Sequence, residues 1–188
     1  YETAKRAIEN AFLPGVPAGE ASACAPVPIR PPVLCAGCPH RAAFYAVKKA
    51  MKGKSAVFTG DIGCYTLGNA APLEMVDTCL CMGASVTMAQ GMQRAGNDAK
   101  HIAFIGDSTF FHSGITGLVN AVYNKTDITI AVLNNATTAM TGHQPHPGTG
   151  VTMKREVSQA VDIAQLARAC GAAHVRRLDP FETKAAVE

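Results

Sequence analysis

Tryptophan is absent from these 188 residues, aromatic residues supply only 6%, and charged residues only 16%. The net charge of +3 is spread without any run of lysine or arginine, so the basic footprint of a nucleic-acid binder is missing. Long apolar runs are missing too. The longest uncharged stretch, residues 128–153, holds Asn134, Asn135, His143, Pro145, His146 and Pro147, which excludes a membrane-crossing helix there. The opening YETAKRAIENAF carries charge where a secretory signal needs an apolar centre. A soluble, cytoplasmic protein is the expectation. With no starting Met and a last stretch (TKAAVE) in mid-helical pattern, the chain reads as an excerpt of a larger one.

What is present suits one globular domain. Hydrophobic residues reach 48%, and the length is enough for a real core. Residues 13–33 hold six of the eleven prolines, Pro14, Pro17, Pro26, Pro28, Pro31 and Pro32. Proline fixes φ and removes an N–H donor, so this segment predicts an extended linker. Residues 1–33 are therefore expected to be a short helix and linker belonging to a preceding domain, and 34–188 the main domain.

Beyond the linker, helix-like and strand-like patterns alternate. Helices are predicted over 41–51, 83–94, 113–123 and, capped by Asp162, through Ala169; a further one starts at Pro180. Strands are predicted over 55–59, 101–105, 127–133 and 173–176, the third of a fully buried type. Strands joined through helices imply an α/β fold, a parallel sheet flanked by helices on both faces. Ligands of such sheets sit beyond the carboxyl ends of the strands. Chemistry is thus expected just after Thr59, Ile105 and Leu133.

Two of those ends carry Gly106-Asp107-Ser108 and Asn134-Asn135. Either alone reads as an ordinary turn. On successive strand ends they resemble the thiamine-diphosphate fingerprint, in which an Asp and an Asn enclose Mg²⁺ and the cofactor's diphosphate. Mg²⁺ takes near-octahedral oxygen ligands and combines a few protein oxygens with phosphate and water. By that resemblance, the Asp107 and Asn135 side chains and the Thr137 carbonyl are the Mg²⁺ ligands.

The seven cysteines, Cys24, Cys35, Cys38, Cys64, Cys79, Cys81 and Cys170, are an odd number and argue against a disulfide framework. Cys35 and Cys38 form a Cys-x-x-Cys before the first helix of the main domain, and Cys64 follows its first strand. A redox pair, a zinc site with His40 as an extra ligand, and an iron–sulfur cluster all remain open on spacing alone. Cys79 and Cys81 alternate on a strand-like piece and read as small packing residues; Cys170 reads as the buried face of a helix.

Taken in order, Cys35-Ala-Gly-Cys-Pro-His-Arg41, Gly60-Asp-Ile-Gly-Cys-Tyr65, Gly106-Asp-Ser-Thr-Phe-Phe-His-Ser-Gly114 and Thr141-Gly-His-Gln144 resemble the thiamine-binding region of the 2-oxoacid ferredoxin oxidoreductases, their indolepyruvate branch above all. The resemblance runs from about Pro31 to the end. It implies oxidative decarboxylation of an aryl 2-oxoacid to an acyl-coenzyme A, with ferredoxin as electron acceptor. It also implies a second (beta) subunit and further domains, among them a separate pyrimidine-binding domain from which the glutamate that activates the aminopyrimidine would come. Cys35, Cys38 and Cys64 map to three ligands of a 4Fe-4S cluster, with the fourth expected beyond Glu188. Cofactor contacts map to Cys38, Pro39, His40, Gly63, Cys64, Met82, Gly83, Ala84, Gly106, Asp107, Ser108, Asn135, Thr137, Met140 and Thr141. His40 and His112 are the catalytic candidates, while His143 and Gln144 border the substrate. His101, His146 and His174 read as surface or packing residues. Two rivals stand beside this reading. A non-oxidative thiamine decarboxylase or synthase would not need the three cysteines, and a noncatalytic zinc-binding interaction domain would not need Asp107 and Asn135.

Overall fold

The computed structural model describes residues 1–13, 15, 26–96 and 98–188. The chain divides into two compact units, Tyr1–Pro31 and Pro32–Glu188. The first carries helix α1 (Glu2–Phe12), which buries none of its residues. Much of the expected linker, Cys24 included, lies outside the described residues; positions 26–33 are exposed and without regular structure.

The second unit is built on a parallel sheet in the order β1-β2-β3, comprising β1 (Ala56–Thr59), β2 (Lys100–Gly106) and β3 (Thr129–Leu133). Thr59 is paired with Ala103, and Gly106 with Leu133, so β2 and β3 end level. The side chains of β2 alternate between two cores. Ile102 and Phe104 join Leu34, Phe44, Tyr65, Met75 and Leu133 on one face. Ala103 and Ile105 join Val86, Ala89, Phe110 and Leu118 on the other.

Helix α2 (Pro39–Ala50) covers the first face. Pro39 opens it, a position where the missing N–H costs nothing, and Phe44 packs edge-on against Phe104 at 4.7 Å between ring centroids. Both rings are fully buried, each contributing about 1.5–3 kcal/mol of hydrophobic stabilisation. The second face is covered by α3 (Ala84–Arg94), α5 (Ile115–Tyr123) and α6 (Ile163–Ala169). A buried Gln90 on α3 donates to the Gly117 carbonyl of α5 at 3.0 Å. The parallel α/β sheet flanked by helices is thus present.

Several local expectations change. The helix expected from Ser113 begins at Asp107: a short α4 (Asp107–Thr109) runs through a π-helical turn (Phe110–Gly114) into α5. The wide turn shifts the helical phase, so the periodicity of α5 does not extend back to the strand end. Strand β3 is only half-buried along most of its length, because it forms the edge of the described sheet. Residues 173–176 form no strand; Ala173, His174 and Arg176 are exposed and only Val175 is partly buried, so the segment's apolar alternation finds no face to cover. The last helix, α7 (Thr183–Val187), starts three residues after Pro180. Asp162 does cap α6, accepting from the Gln165 N–H at 2.8 Å.

Candidate functional site

The carboxyl ends of the three strands converge on a cluster of polar side chains. Asp107, the first residue past β2, is 2% exposed. Its Oδ1 accepts the Ser108 N–H at 2.8 Å, and its Oδ2 lies 3.0 Å from Nε2 of His146. Ser108 and Thr138 hydroxyls meet at 2.7 Å, tying the end of β2 to the loop that follows β3. That loop begins with two Asx turns. The Asn134 side chain accepts the Ala136 N–H at 3.0 Å, and Asn135 Oδ1 faces the Thr137 N–H at 3.4 Å. Ala136 takes a positive φ of 56° between them. The end of β2 and the loop after β3 are therefore joined through Ser108 and Thr138.

Beyond β1, Asp61 is fully buried. Its carboxylate accepts the N–H groups of Ile62 and Gly83, both at 2.6 Å, and the Ser85 hydroxyl at 3.2 Å. Burial pushes its carboxyl above the usual range, with those hydrogen bonds opposing. Asp61 thereby fixes the turn of Met82, Gly83 and Ala84 at the head of α3. Gly83 needs to be glycine: its φ is +88°, and a Cβ would lie 2.2 Å from Ser113 Oγ. Met82 is exposed at that turn, while Gly83 and Ala84 are buried.

Tyr65 lies between two strand ends. A Cβ on Gly63 or Gly106 would come within 2.3 or 2.5 Å of its ring, so both glycines are required for it to fit. Its hydroxyl donates to the Ile62 carbonyl at 3.0 Å and lies 3.2 Å from Thr109 Oγ1; burial pushes the phenol up to about 12. His40 sits edge-on to Tyr65 at 6.2 Å and is 5% exposed. Burial lowers its pKa, partly offset by the negative charge of Asp107.

The remaining candidates are more scattered. His112 is exposed in the π turn, and His143 is exposed with a φ of 59°. Met140 and Thr141 lie exposed in a short 3-10 turn. Gln144 is folded back onto Thr141, accepting from its hydroxyl at 2.7 Å and donating to its carbonyl at 2.6 Å, so it closes the loop on itself.

Cys38 caps α2, and Arg41 Nε donates to the Cys35 carbonyl at 3.0 Å. The Cys64 thiol is pushed up by burial first, then by Cys38 and Cys35 nearby. Among the described residues no group of three His, Cys, Asp or Glu side chains is arranged to hold a metal ion, so the three thiols form no ligand set in this structure. Cys79 and Cys81 are exposed rather than packed; the Cys79 thiol instead donates to the Asp61 carbonyl at 3.6 Å. Cys170 packs against the second core, as its helical context predicts.

His146 departs furthest from expectation. It is 8% exposed and lies against Asp107, stacked on Phe111. Asp61 and Tyr65 carry no role in the sequence beyond their place in the Gly60–Tyr65 motif, and His146 reads there only as a surface or packing residue. For Asp61 the signal was available, an acid directly after a strand; for His146 only a turn-like His-Pro-Gly was visible.

A family model for the C-terminal TPP binding domain of thiamine pyrophosphate enzymes matches residues 61–188. The chain belongs to that family. At the level of individual relatives, it is 48% identical over 175 residues to the indolepyruvate oxidoreductase subunit IorA of Archaeoglobus fulgidus, covering 93% of this chain and 28% of that protein. The subunit of the same name from Methanothermobacter marburgensis is 43% identical, covering 100% of this chain and 32% of the relative. The chain thus spans about a third or less of these relatives' length. A solved 2-oxoglutarate:ferredoxin oxidoreductase from Magnetococcus marinus shares the fold, with a TM-score of 0.61 at 19% identity over 76% of this chain and 53% of that one. Among the described residues, no helix is long and apolar enough to cross a membrane.

Proposed function

We propose that the complete protein carrying this chain is a ferredoxin-dependent oxidoreductase that decarboxylates aryl 2-oxoacids such as indolepyruvate and forms the acyl-coenzyme A. This chain supplies its Mg²⁺ and diphosphate site. The observation that carries the reading is the Asp107 carboxylate, 2% exposed at the end of β2, with the Asn135 loop tied beside it through Ser108 and Thr138. The IorA relatives support the substrate class.

The donor set fits a hard cation. A buried carboxylate, an amide oxygen and a backbone carbonyl suit Mg²⁺, which prefers oxygen and shares its shell with phosphate and water. Asp107, Asn135 and Thr137 would hold it. Acceptance of electron density as CO₂ leaves is the chemistry thiamine diphosphate supplies when bound. The protein's part is to bind and orient. Met82 presents an apolar side chain at a turn that Asp61 locks, with Gly83 and Ala84 behind it. His40, kept toward its uncharged form by burial, can donate or accept one hydrogen bond without adding charge beside the cation. Cys38, Pro39, Gly63, Cys64, Gly106, Met140 and Thr141 complete the proposed contact surface, and His112 stands exposed at its rim.

Electrons would leave through iron–sulfur clusters to ferredoxin, with the activating glutamate supplied by another domain and a beta subunit completing the assembly. A cluster on Cys35, Cys38 and Cys64 would require their thiols to draw together.

The test is calorimetric titration of thiamine diphosphate into the complete protein in the presence of Mg²⁺. Asp107→Ala is expected to abolish Mg²⁺-dependent binding, and Asn135→Ala to weaken it less, since an amide oxygen carries no formal charge. Unchanged affinity in Asp107→Ala would overturn the assignment.

A further inference from the structure

His146 lies 39 positions from Asp107 in sequence, yet the two side chains meet in a buried contact, 4% and 3% exposed. The ring is held from several sides. Phe111 stacks on it at 5.6 Å with planes 28° apart. Its Nδ1 accepts the Gly148 N–H at 3.1 Å. Its own carbonyl accepts the Thr149 N–H at 2.9 Å and hydroxyl at 2.8 Å, so the backbone is anchored as well.

The Gly148 bond decides the tautomer. A ring nitrogen that accepts a backbone N–H carries no proton, so the proton sits on Nε2 and points at Asp107 Oδ2. Gly148 also has to be glycine for the ring to sit there: a Cβ would lie 2.9 Å from the Phe111 ring and 3.1 Å from His146 Cε1. His146-Pro147-Gly148 is thus a small built clamp around one imidazole.

We propose that His146 is a positioning residue for the cation site, orienting the Asp107 carboxylate toward Mg²⁺ while binding no metal itself. This deepens the functional reading above and rests on Asp107 being a ligand. Both ring nitrogens are already engaged, one by Gly148 and one by Asp107, so neither is free to coordinate. With Oδ2 held by His146 and Oδ1 by the Ser108 N–H, the carboxylate cannot rotate about its last bond without losing two hydrogen bonds. Each oxygen still keeps a lone pair for a cation. Removing partners that orient a metal ligand typically weakens metal affinity about 10–100-fold.

The test compares His146→Phe with His146→Gln in the complete protein. Phenylalanine keeps the stack on Phe111 but places a C–H where the donor was, whereas glutamine returns an N–H near the Nε2 position. Neither restores the Gly148 bond, so their difference reports the donor to Asp107. Thiamine diphosphate is titrated calorimetrically over a series of Mg²⁺ concentrations. His146→Phe should raise the Mg²⁺ needed for half-saturation about 10–100-fold, and His146→Gln should recover most of that loss. If His146→Phe does not fold, Gly148→Ala, which presses on the ring edge, should raise the Mg²⁺ requirement in the same direction. Wild-type Mg²⁺ dependence in His146→Phe, or equal losses in the Phe and Gln variants, would overturn the proposal while leaving Asp107 in place. Unaltered Mg²⁺-dependent binding in Asp107→Ala would instead overturn the cation site itself.

Discussion

Replacing Asp61 by alanine removes the acceptor that three donors share in a fully buried position. The Ile62 and Gly83 N–H groups and the Ser85 hydroxyl lose their partner, while the bonds that Thr66 and Cys79 make to the Asp61 main-chain carbonyl survive. Hydrogen bonds to a charged acceptor contribute about 1.5–3 kcal/mol each, and burial of the carboxylate opposes that gain. The balance is a loss of roughly 3 kcal/mol. For a unit of this size that lowers the unfolding midpoint by about 6–12 °C. Thermal unfolding measures the sum, and amide exchange at Gly83 reads the local part, because that N–H loses its bond directly. The pH dependence is a second check. Burial raises the folded-state pKa of Asp61 above 3.8. The stability linked to the protonated form is therefore fully present below pH 3.8 and lost as pH rises through the folded value. Asp61→Asn cannot titrate, so its deficit relative to the wild type should be largest below pH 3.8 and narrow on raising the pH. An unchanged midpoint and unchanged Gly83 exchange in Asp61→Ala, or a deficit that widens with pH, would refute the reasoning.

Two further outcomes are expected. Changing Cys35, Cys38 and Cys64 singly to serine in the complete protein, purified without oxygen, should remove about four irons and ferredoxin reduction if the three hold a cluster; unchanged iron content and activity would reduce them to thiols at a helix cap and a strand end. The 188-residue chain by itself should turn over no 2-oxoacid even with cofactor and Mg²⁺, because every glutamate described in its main unit is exposed and none is buried as an activating acid; measurable turnover of indolepyruvate by the pure chain would contradict this.

The alternation of apolar segments and breakers was enough to locate the three strands and the helices between them, because burying both faces of a parallel sheet demands continuous apolar strands. The same logic placed Asp107 and Asn135 at adjacent strand ends, since any residue directly after β2 or β3 is carried there by the chain itself. The wide turn at Phe110–Gly114 was not legible: it breaks the 3.6 period that the eye follows back from α5. Nor was the exposure of Cys79 and Cys81, which depends on what lies over their segment rather than on their spacing.

Sequence alone settled which residues stand at the ends of strands, because that is a matter of local pattern. Only the tertiary structure decided what they meet there. Asp61 reaches Gly83 across 22 positions, and Asp107 reaches His146 across 39, through loops whose path depends on the packing beneath them. His-Pro-Gly has no periodicity and reads as a turn wherever it occurs. It becomes a clamp on a carboxylate because the loop after β3 folds back over the end of β2, where Phe111 offers a ring to stack on and burial makes an unpartnered imidazole or carboxylate costly.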